Sequence, residues 1–338
     1  MSDTLPVISS VVPNPDMVLS FMAPAYEDLT EEFKTAFWGS IDYKDGGGEG
    51  DVMRVRPANH VDNATMIMPS AASHRDLTKT TPTDGGAAPA TYHRRMPVQS
   101  NVVGPLMFTA AFCAGLNKTV EETAQIIGNG MAERIFNARK LALYNALYGA
   151  LTAATTVTHV RTHTAAAVAQ DVLLTRALLQ DHEMSLGTII MHPKVYASIR
   201  ADMAQGTVMN EKSFGSMVYV EGAIPALVGM RIFVDSQVPT VSLSGGTGYC
   251  TFLLGPKCCN IVGAPDRPLF GAQNIVNDGV ALKISLEDDF AVGVEYMDYS
   301  QAATNPANAA LATSGNWAEA FSHDHRNLKV AMLVSIQT

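Results

Sequence analysis

The feature that most constrains the fold is a long helical pattern between Thr119 and Leu151. Apolar residues recur there at helical spacing, at Val120, Ala124, Ile127, Met131, Ile135, Ala138 and Ala142. Thr119 and Glu122 have the spacing of a capping box, so we expect the helix to begin at this point. About 30 residues at 1.5 Å per residue predict a helix about 45 Å long, around which the rest of the chain must pack.

Two glycines interrupt this helical pattern near its middle. Gly128 and Gly130 each weaken a helix by about 1 kcal/mol relative to alanine. We therefore interpret both as hinge residues, where the long helix bends.

The chain after the long helix mixes one or two helices with many strands. A helix is predicted over 166–184, after a loop or hairpin over 152–165. GTIIMHPKVYASIR (187–200) predicts a strand-to-helix corner, with His192 at the N-cap and Pro193 at the first helical position. Further strands are predicted at 229–235, 249–254, 258–262, 279–286, 292–299 and 328–336. The fold class is therefore α+β.

The chain before the long helix lacks a core of its own. Residues 1–24 are predicted to form an extended arm, and 25–38 a short amphipathic helix. One face of that helix carries Leu29, Phe33, Ala36 and Phe37. Strands at about 52–57 and 90–98 enclose a polar excursion over 58–89, which predicts a projecting hairpin.

The composition indicates a chain that hides its surface against other chains. Charged residues make up 16% and apolar residues 47% of the sequence, whereas roughly 25% charged residues is usual. A large enzyme rich in alanine and glycine is the alternative. The net charge of −9 argues against a nucleic-acid-binding protein, which normally carries a basic surface.

The charge is distributed unevenly along the chain. Residues 1–51 contain ten acidic and two basic side chains (net −8), and residues 52–100 three acidic and six basic (net +3). We expect these segments to attract one another, within a chain or between chains. The candidate contacts are acidic Glu27, Asp28, Glu31 and Glu32 and basic Arg54, Arg56, Arg75, Lys79, Arg94 and Arg95.

No group of residues predicts catalysis or a cofactor. GGGEG (46–50) and SGGTG (244–248) lack the ending of a phosphate-binding loop. His323–Asp324–His325 and the pair His159 and His163 are weak metal-site patterns. Glu287–Asp288–Asp289 is interpreted as a solvated turn. We therefore expect no catalytic, cofactor-binding or metal-binding residues.

The cysteines and the N-terminal sequence indicate in which cellular compartment the chain is found. Cys113, Cys250, Cys258 and Cys259 are expected to be buried and reduced, with Cys258 and Cys259 on opposite faces of a strand. No apolar run is long enough for a membrane span, and MSDTLPVISSVVPNPD lacks the features of a secretory signal. We expect the chain to be retained in the cytosol.

The order of these features resembles the major capsid proteins of tailed bacteriophages, whose fold is shared with encapsulins and the floor of herpesvirus shells. RKLALYNALYG (139–149) resembles the end of the family's spine helix, and GTIIMHPKVYASIR the start of its axial (A) domain. GMRIFVDSQVP (229–239), TFLLGPKCCNIVG (251–263) and VALKISLEDDFAVGVEYMDYS (280–300) resemble the strands that follow. Residues 301–326 are a longer insert than simple members have.

The resemblance implies a domain organisation. Residues 1–44 would be the N-terminal arm and short helix, and 45–100 the extended E-loop. Residues 101–164 and 283–338 would form the peripheral (P) domain, with the spine helix at about 119–151. Residues 165–282 would form the A domain.

The resemblance also implies the function of a structural coat protein. Such a chain self-assembles as pentamers and hexamers into an icosahedral shell, which encloses phage dsDNA without sequence-specific binding. The implied location is the virion, with assembly in the host bacterial cytoplasm. Separate scaffolding and portal proteins, and in some phages a decoration protein, would be partners. The alternatives are an encapsulin-type nanocompartment shell and a metal-dependent enzyme.

Overall fold

The computed structural model describes residues 15–37, 40–45, 60–68, 90–109, 119–153, 157–204, 226–227, 229–263, 269–275, 281–300, 305–319 and 328–337. The helices are α1 (Pro15–Phe37), α2 (Val120–Leu151), α3 (Ala169–Arg176), α4 (Pro193–Ala204) and α5 (Asn308–Leu311). The first strands are β1 (Ile41–Asp45), β2 (His60–Met68), β3 (Ala90–Thr109), β4 (Val160–His163), β5 (Thr188–Met191), β6 (Ala226–Leu227), β7 (Met230–Val234) and β8 (Thr240–Leu243). The others are β9 (Gly246–Leu254), β10 (Cys259–Gly263), β11 (Leu269–Ile275), β12 (Ala281–Val294), β13 (Met297–Tyr299), β14 (Trp317–Glu319) and β15 (Val330–Ile336).

Helix α2 begins and ends where the sequence predicts. The Thr119 Oγ1 accepts a hydrogen bond from the Glu122 N–H (3.2 Å), and the Glu122 Oε2 accepts one from the Thr119 N–H (3.0 Å). This reciprocal capping box satisfies two backbone donors that the first helical turn leaves unpaired. The predicted helix of about 30 residues is confirmed as one continuous element of 32 residues.

A seven-stranded sheet follows α2 in the chain. Its strand order is β4-β15-β9-β5-β7-β6, with β8 paired to β9, and β5 lies parallel to β7. One face carries Ile190 and Phe252 toward α2, and the other carries Ile189 and Leu253 toward α4 at Val195. Because both faces are covered, strands such as β5 and β15 are buried along their whole length and are mostly apolar.

The corner between β5 and α4 is confirmed. The Lys194 N–H donates to His192 Nδ1 (3.2 Å), and the Tyr196 N–H donates to the His192 carbonyl (3.1 Å). The imidazole therefore caps the helix that Pro193 opens. The burial of His192 lowers its pKa, and the neighbouring Lys194 lowers it further.

A six-stranded sheet forms the second layer. Its order is β1-β10-β12-β3-β2, with β11 paired to β12. The long strands β3 and β12 run antiparallel from the pair Thr109 and Ala281 to the pair Val98 and Ala291. Strand β2 pairs with the first half of β3 and forms the edge of this ribbon.

The predicted hairpin is present, but the assignment of all of 58–89 to a polar excursion was wrong. Residues 60–68 form β2, whereas the sequence assigned them to a polar excursion. Val61, Thr65 and Ile67 favour a strand, and pairing with β3 decides the outcome. The predicted strand at 52–57 lies outside the described residues.

Four other predictions were wrong. Residues 15–24 belong to α1, not to an extended arm, because Pro15 suits a first helical position and Val18 and Met22 pack on α2. Residues 160–163 form a parallel edge strand beside β15 instead of part of a loop or hairpin. Two predicted strands at 279–286 and 292–299 are mainly one strand, β12, so 287–289 are not a turn. The pair Cys258 and Cys259 does not split across a strand, because Cys258 precedes β10 and the two Sγ atoms lie 3.6 Å apart.

The insert after β13 braces the end of α2. Trp317 donates its indole N–H to the Leu311 carbonyl (2.7 Å) and packs edge-to-face on Tyr299. At Gly149 a Cβ would lie 2.0 Å from the Leu311 carbonyl oxygen, so only glycine fits. The insert also contacts β3, where Gln99 donates to the Pro306 carbonyl (2.7 Å). Residues 305–319 therefore hold α2 against the six-stranded sheet.

The main core lies where α2 meets both sheets. The C-terminal half of α2, at Leu147 for example, packs with Phe290 and Ile261 of the six-stranded sheet. It also packs with Phe252 and Met332 of the seven-stranded sheet. No helix within the described ranges is long and apolar enough to cross a membrane.

Candidate functional site

The N-terminal half of α2 is covered by α1. Val18 and Met22 of α1 pack with Ile127 and Met131 of α2 in one buried cluster. Close approach depends on Gly128, where a Cβ would lie 2.8 Å from the Val18 carbonyl oxygen. The structure thus gives Gly128 a packing role that its interpretation as a hinge does not include.

Gly130 has a different environment from Gly128. A Cβ at Gly130 would have nothing within 4 Å. Helix α2 is continuous through both positions, and a hinge role for either remains a prediction.

The four acidic candidates share the outer surface of α1. The side chains of Glu27, Asp28, Glu31 and Glu32 are all exposed. Leu29 and Thr30, on the other side of the helix, turn toward the protein. This arrangement leaves a row of carboxylates facing away from α2, which we call the acidic face of α1.

The basic candidates fall in and around the β2–β3 hairpin. Arg94 and Arg95 lie on β3, in register with Asn63 and Asp62 of β2. Arg54, Arg56, Arg75 and Lys79 lie outside the described residues. Among the candidates, the structure therefore places only the acidic face of α1 and two of the six cations.

A buried ion pair joins α1, α2 and the six-stranded sheet. Arg139 of α2 donates from Nε (2.9 Å) and Nη2 (2.5 Å) to the carboxylate of Asp288 on β12. Its Nη1 donates to the Tyr26 hydroxyl of α1 (2.5 Å). The side chains of Arg139 and Asp288 are 7% and 6% exposed, so both charges depend on this pairing. The interpretation of 287–289 as a solvated turn was wrong for this reason.

A second buried ion pair joins α2 to the seven-stranded sheet. Lys140 Nζ lies 2.8 Å from Asp235 Oδ2, and the Tyr144 hydroxyl donates to the same oxygen (3.0 Å). The other carboxylate oxygen accepts from the Gln237 N–H (2.9 Å). Burial raises the pKa of Tyr144 well above its usual value, and the Asp235 charge adds to this, so the hydroxyl stays a donor.

The weak metal-site patterns gain no support as a group. No cluster of three or more His, Cys, Asp or Glu side chains suited to a metal occurs within the part of the chain that the structure covers. His159 Nδ1 contacts the Val330 carbonyl, and His163 lies beside Asp171. His323, Asp324 and His325 fall outside that part. Cys250, Cys258 and Cys259 are buried and free, as expected, and Cys113 is not described.

Sequence reasoning missed Asp235 and Asp288 as structural residues. Arg139 and Asp288 are 149 positions apart, and Tyr144 and Asp235 are 91 apart. One local signal was available: two adjacent basic residues lie on an otherwise apolar stretch of the long helix. Adjacent charges on a buried helix indicate partners on two different sides.

The comparison with protein families identifies the chain. The model of the Gp13-like family, described as major capsid protein 13-like, matches residues 16–327. The chain belongs to this family of major capsid proteins and is a structural coat protein. No curated protein sequence matches it.

Solved structures with the same fold are shells of phages. The chain is similar to the capsid of cyanophage Pam1 (TM-score 0.54, 11% identity, covering 89% of this chain and 91% of that one). It is also similar to the capsid of Helicobacter pylori bacteriophage KHP30 (TM-score 0.52, 7% identity, 88% of both chains). A third is the capsid of Ralstonia phage GP4 (TM-score 0.50, 10% identity, 76% and 83%). The predicted tailed-phage major capsid fold is confirmed.

Proposed function

We propose that the chain assembles as pentamers and hexamers into an icosahedral shell that encloses phage dsDNA. The family match over residues 16–327 is the observation that carries this proposal. Phage capsid proteins form multimeric shells as part of the virion, and shell formation here would take place in the cytoplasm of the bacterial host. The net charge of −9 suits an enclosure that holds DNA without gripping it.

The domain organisation belongs to the same proposal. Strands β5 to β11, with α3 and α4, lie in the expected A domain, whereas β4 and β15 of the seven-stranded sheet lie in the expected P domain. Helix α2 with the C-terminal strand and the insert corresponds to the P domain, and the β2–β3 hairpin to the E-loop. Strand β3 runs unbroken from Ala90 to Thr109, so the boundary placed at residue 100 falls within one strand.

Contacts between subunits would draw on opposite charges. The acidic face of α1 would meet the basic hairpin of a neighbour, which carries Arg94 and Arg95 and, beyond the described residues, Arg54, Arg56, Arg75 and Lys79. Exposed carboxylates attract a basic partner over about 10 Å at 0.1 M salt. Separate scaffolding and portal proteins, and a decoration protein in some shells, complete the proposed set of partners.

Salt and charge reversal test this proposal. Purified chain should form shells in low salt, and the yield measured by sedimentation should fall as salt rises. Reversal of Glu27, Asp28, Glu31 and Glu32 to lysine should abolish assembly. The control reverses Glu121 and Glu133, exposed acids of α2 that take no part in the capping box, and should assemble normally. A yield independent of salt and of the α1 charges would refute the electrostatic part.

An encapsulin-type compartment is the second candidate. It has the same general fold, so particle content separates the two functions. Shells purified from cells should contain nucleic acid or be empty. Shells filled with a single enzyme would favour the encapsulin function instead.

A further inference from the structure

Two consecutive residues of α2 bind two different sheets. Arg139 binds Asp288 on β12 of the six-stranded sheet, and Lys140 binds Asp235 at the end of β7 in the seven-stranded sheet. Adjacent positions on a helix point about 100° apart. Helix α2 therefore presents one cation to each sheet at the same height along its axis.

The carboxylates are held in specific positions by several donors. Asp288 receives two hydrogen bonds from the Arg139 guanidinium in a fork. Asp235 forms an ion pair with Lys140 and accepts hydrogen bonds from the Tyr144 hydroxyl and the Gln237 N–H. A displacement of either sheet relative to α2 would leave a buried charge without its partner, which is strongly unfavourable.

The apolar contacts in the same corner are less selective. Leu147, Phe252 and Phe290 contribute to one continuous cluster between α2 and the sheets. Apolar burial is non-directional, and cores of similar volume tolerate alternative packing. Compared with apolar residues of similar volume, buried ion pairs add little net stability. Because separating the partners leaves a buried charge unpaired, the two pairs here disfavour other placements of the sheets.

The connection between the sheets is short. Strand β9 of the seven-stranded sheet ends at Leu254, and β10 of the six-stranded sheet begins at Cys259. The Gly255 N–H donates to the Lys329 carbonyl (2.8 Å), and the Cys258 N–H donates to the Ser40 carbonyl (3.0 Å). This connection, residues 255–258, is where a change in the angle between the sheets would be absorbed.

We infer that Arg139 and Lys140 are positioning residues that set the angle between the two sheets, and that this angle sets the curvature of the assembled shell. The second clause rests on the proposed shell-forming function. In the proposed shell, subunits that meet their neighbours through surfaces on both sheets would convert a change in this angle into a change in the angle between subunits. A single sharply defined particle diameter therefore requires the two ion pairs.

The test removes the charge from one pair and keeps a polar side chain in its place. In the double variant Lys140→Met with Asp235→Asn, the amide oxygen accepts from the Gln237 N–H, and the amide NH2 donates to the Tyr144 hydroxyl oxygen. The melting temperature should stay close to that of the parent, since both partners are neutralised together. Electron microscopy should show loss of the single diameter peak, with mixed sizes or open sheets. A parental diameter peak would overturn the inference.

Ile190→Val is the matched control. It removes one methylene from the same buried cluster and leaves both ion pairs intact. Its melting temperature should fall by at least as much as that of the double variant, while the parental diameter is retained. If the control also loses the diameter peak, general loosening explains the result and the inference is wrong.

Amide hydrogen exchange separates this inference from the proposed function. If the parent chain forms no shells, the proposed function fails, and exchange in the unassembled chain becomes decisive. The double variant should then exchange faster at Gly255 and Cys258, with unchanged protection in the middle of α2. Unchanged exchange at residues 255–258 would overturn the inference in the absence of any shell.

Discussion

The two halves of α2 are stabilised in different ways. The N-terminal half, around Ile127 and Met131, is covered by a single helix, α1. The C-terminal half, around Leu147, lies in the corner between two sheets and is braced by the insert at Trp317. The difference shows that one continuous helix combines a half packed between two sheets with a half packed mainly on α1, within the described residues.

Arg139 lies at the boundary between these halves, and its replacement should have the largest effect. Arg139→Met leaves the Asp288 carboxylate buried without its cation and removes the hydrogen bond to Tyr26. We expect the free energy of unfolding to fall by about 3–5 kcal/mol. Chemical denaturation measures this loss. Arg134→Met, at an exposed position of α2, is the control and should change stability little.

The two glycines should respond in opposite directions. Gly128→Ala forces a Cβ against the Val18 carbonyl and should destabilise the chain by about 1–3 kcal/mol. Gly130→Ala meets no neighbour and should stabilise it by up to about 1 kcal/mol. Thermal melts of both single variants measure the difference. Equal effects would mean that α1 does not lie against Gly128 as described.

The same variants also separate packing from a hinge. If both glycines act as hinges, each alanine should lower amide exchange in the middle of α2. If Gly128 acts through packing alone, only its variant should weaken protection of α1 against amide exchange. Exchange measured on α1 and on the middle of α2 distinguishes these outcomes.

The contact of Trp317 at the C-terminal end of α2 should contribute less to the free energy of unfolding than Arg139 or Gly128. Trp317→Phe keeps the ring against Tyr299 and removes the hydrogen bond to the Leu311 carbonyl. The expected loss is about 1 kcal/mol. Amide exchange should rise in residues 305–319 and at the end of α2, with α1 unaffected. Raised exchange in α1 would contradict the independence of the two halves.

The reactivity of Cys250 shows whether the core between α2 and the two sheets stays closed to solvent. Burial raises the pKa of its thiol to about 12, so the native protein holds almost no thiolate at pH 8. Iodoacetamide should label Cys250 only after unfolding, as mass spectrometry of digests can measure. Labelling of the folded chain at pH 8 would show that the corner opens.

The raised pKa of the Cys250 thiol predicts that the folded chain loses stability at high pH. In the unfolded chain the thiol ionises near pH 8.5, whereas in the folded chain it does so near pH 12. Between these values the unfolded state binds fewer protons, so the contribution of Cys250 declines as pH rises. Cys250→Ala should show a weaker decline, measured by denaturation between pH 8 and 10.

Local signals made much of the fold predictable. The capping box at Thr119, the apolar spacing of α2 and the proline at position 193 each act within a few residues. The order of these elements was enough for the resemblance to capsid proteins. Helix α1 was predicted too short because Pro15 and Pro24 suggested an arm, whereas packing of Val18 and Met22 on α2 outweighs Pro24.

The ion pairs at the centre of the molecule could not be predicted. The sequence around Asp288 is typical of an acidic turn, because a carboxylate rarely lies in a buried strand without a cationic partner. The partner of Asp288, Arg139, is distant in the chain. The acidic residues of α1 are exposed, and their role as contacts between subunits remains a prediction. Their partner surface cannot be identified from one chain, since charge complementarity between subunits requires the assembly.

Cryo-electron microscopy of particles assembled from the purified chain tests the central claim most directly. The account predicts closed icosahedral shells in which subunits surround five-fold and six-fold axes, with the acidic face of α1 against a neighbour's β2–β3 hairpin. A chain that stays monomeric or forms only small closed oligomers under all salt conditions would contradict the proposed shell.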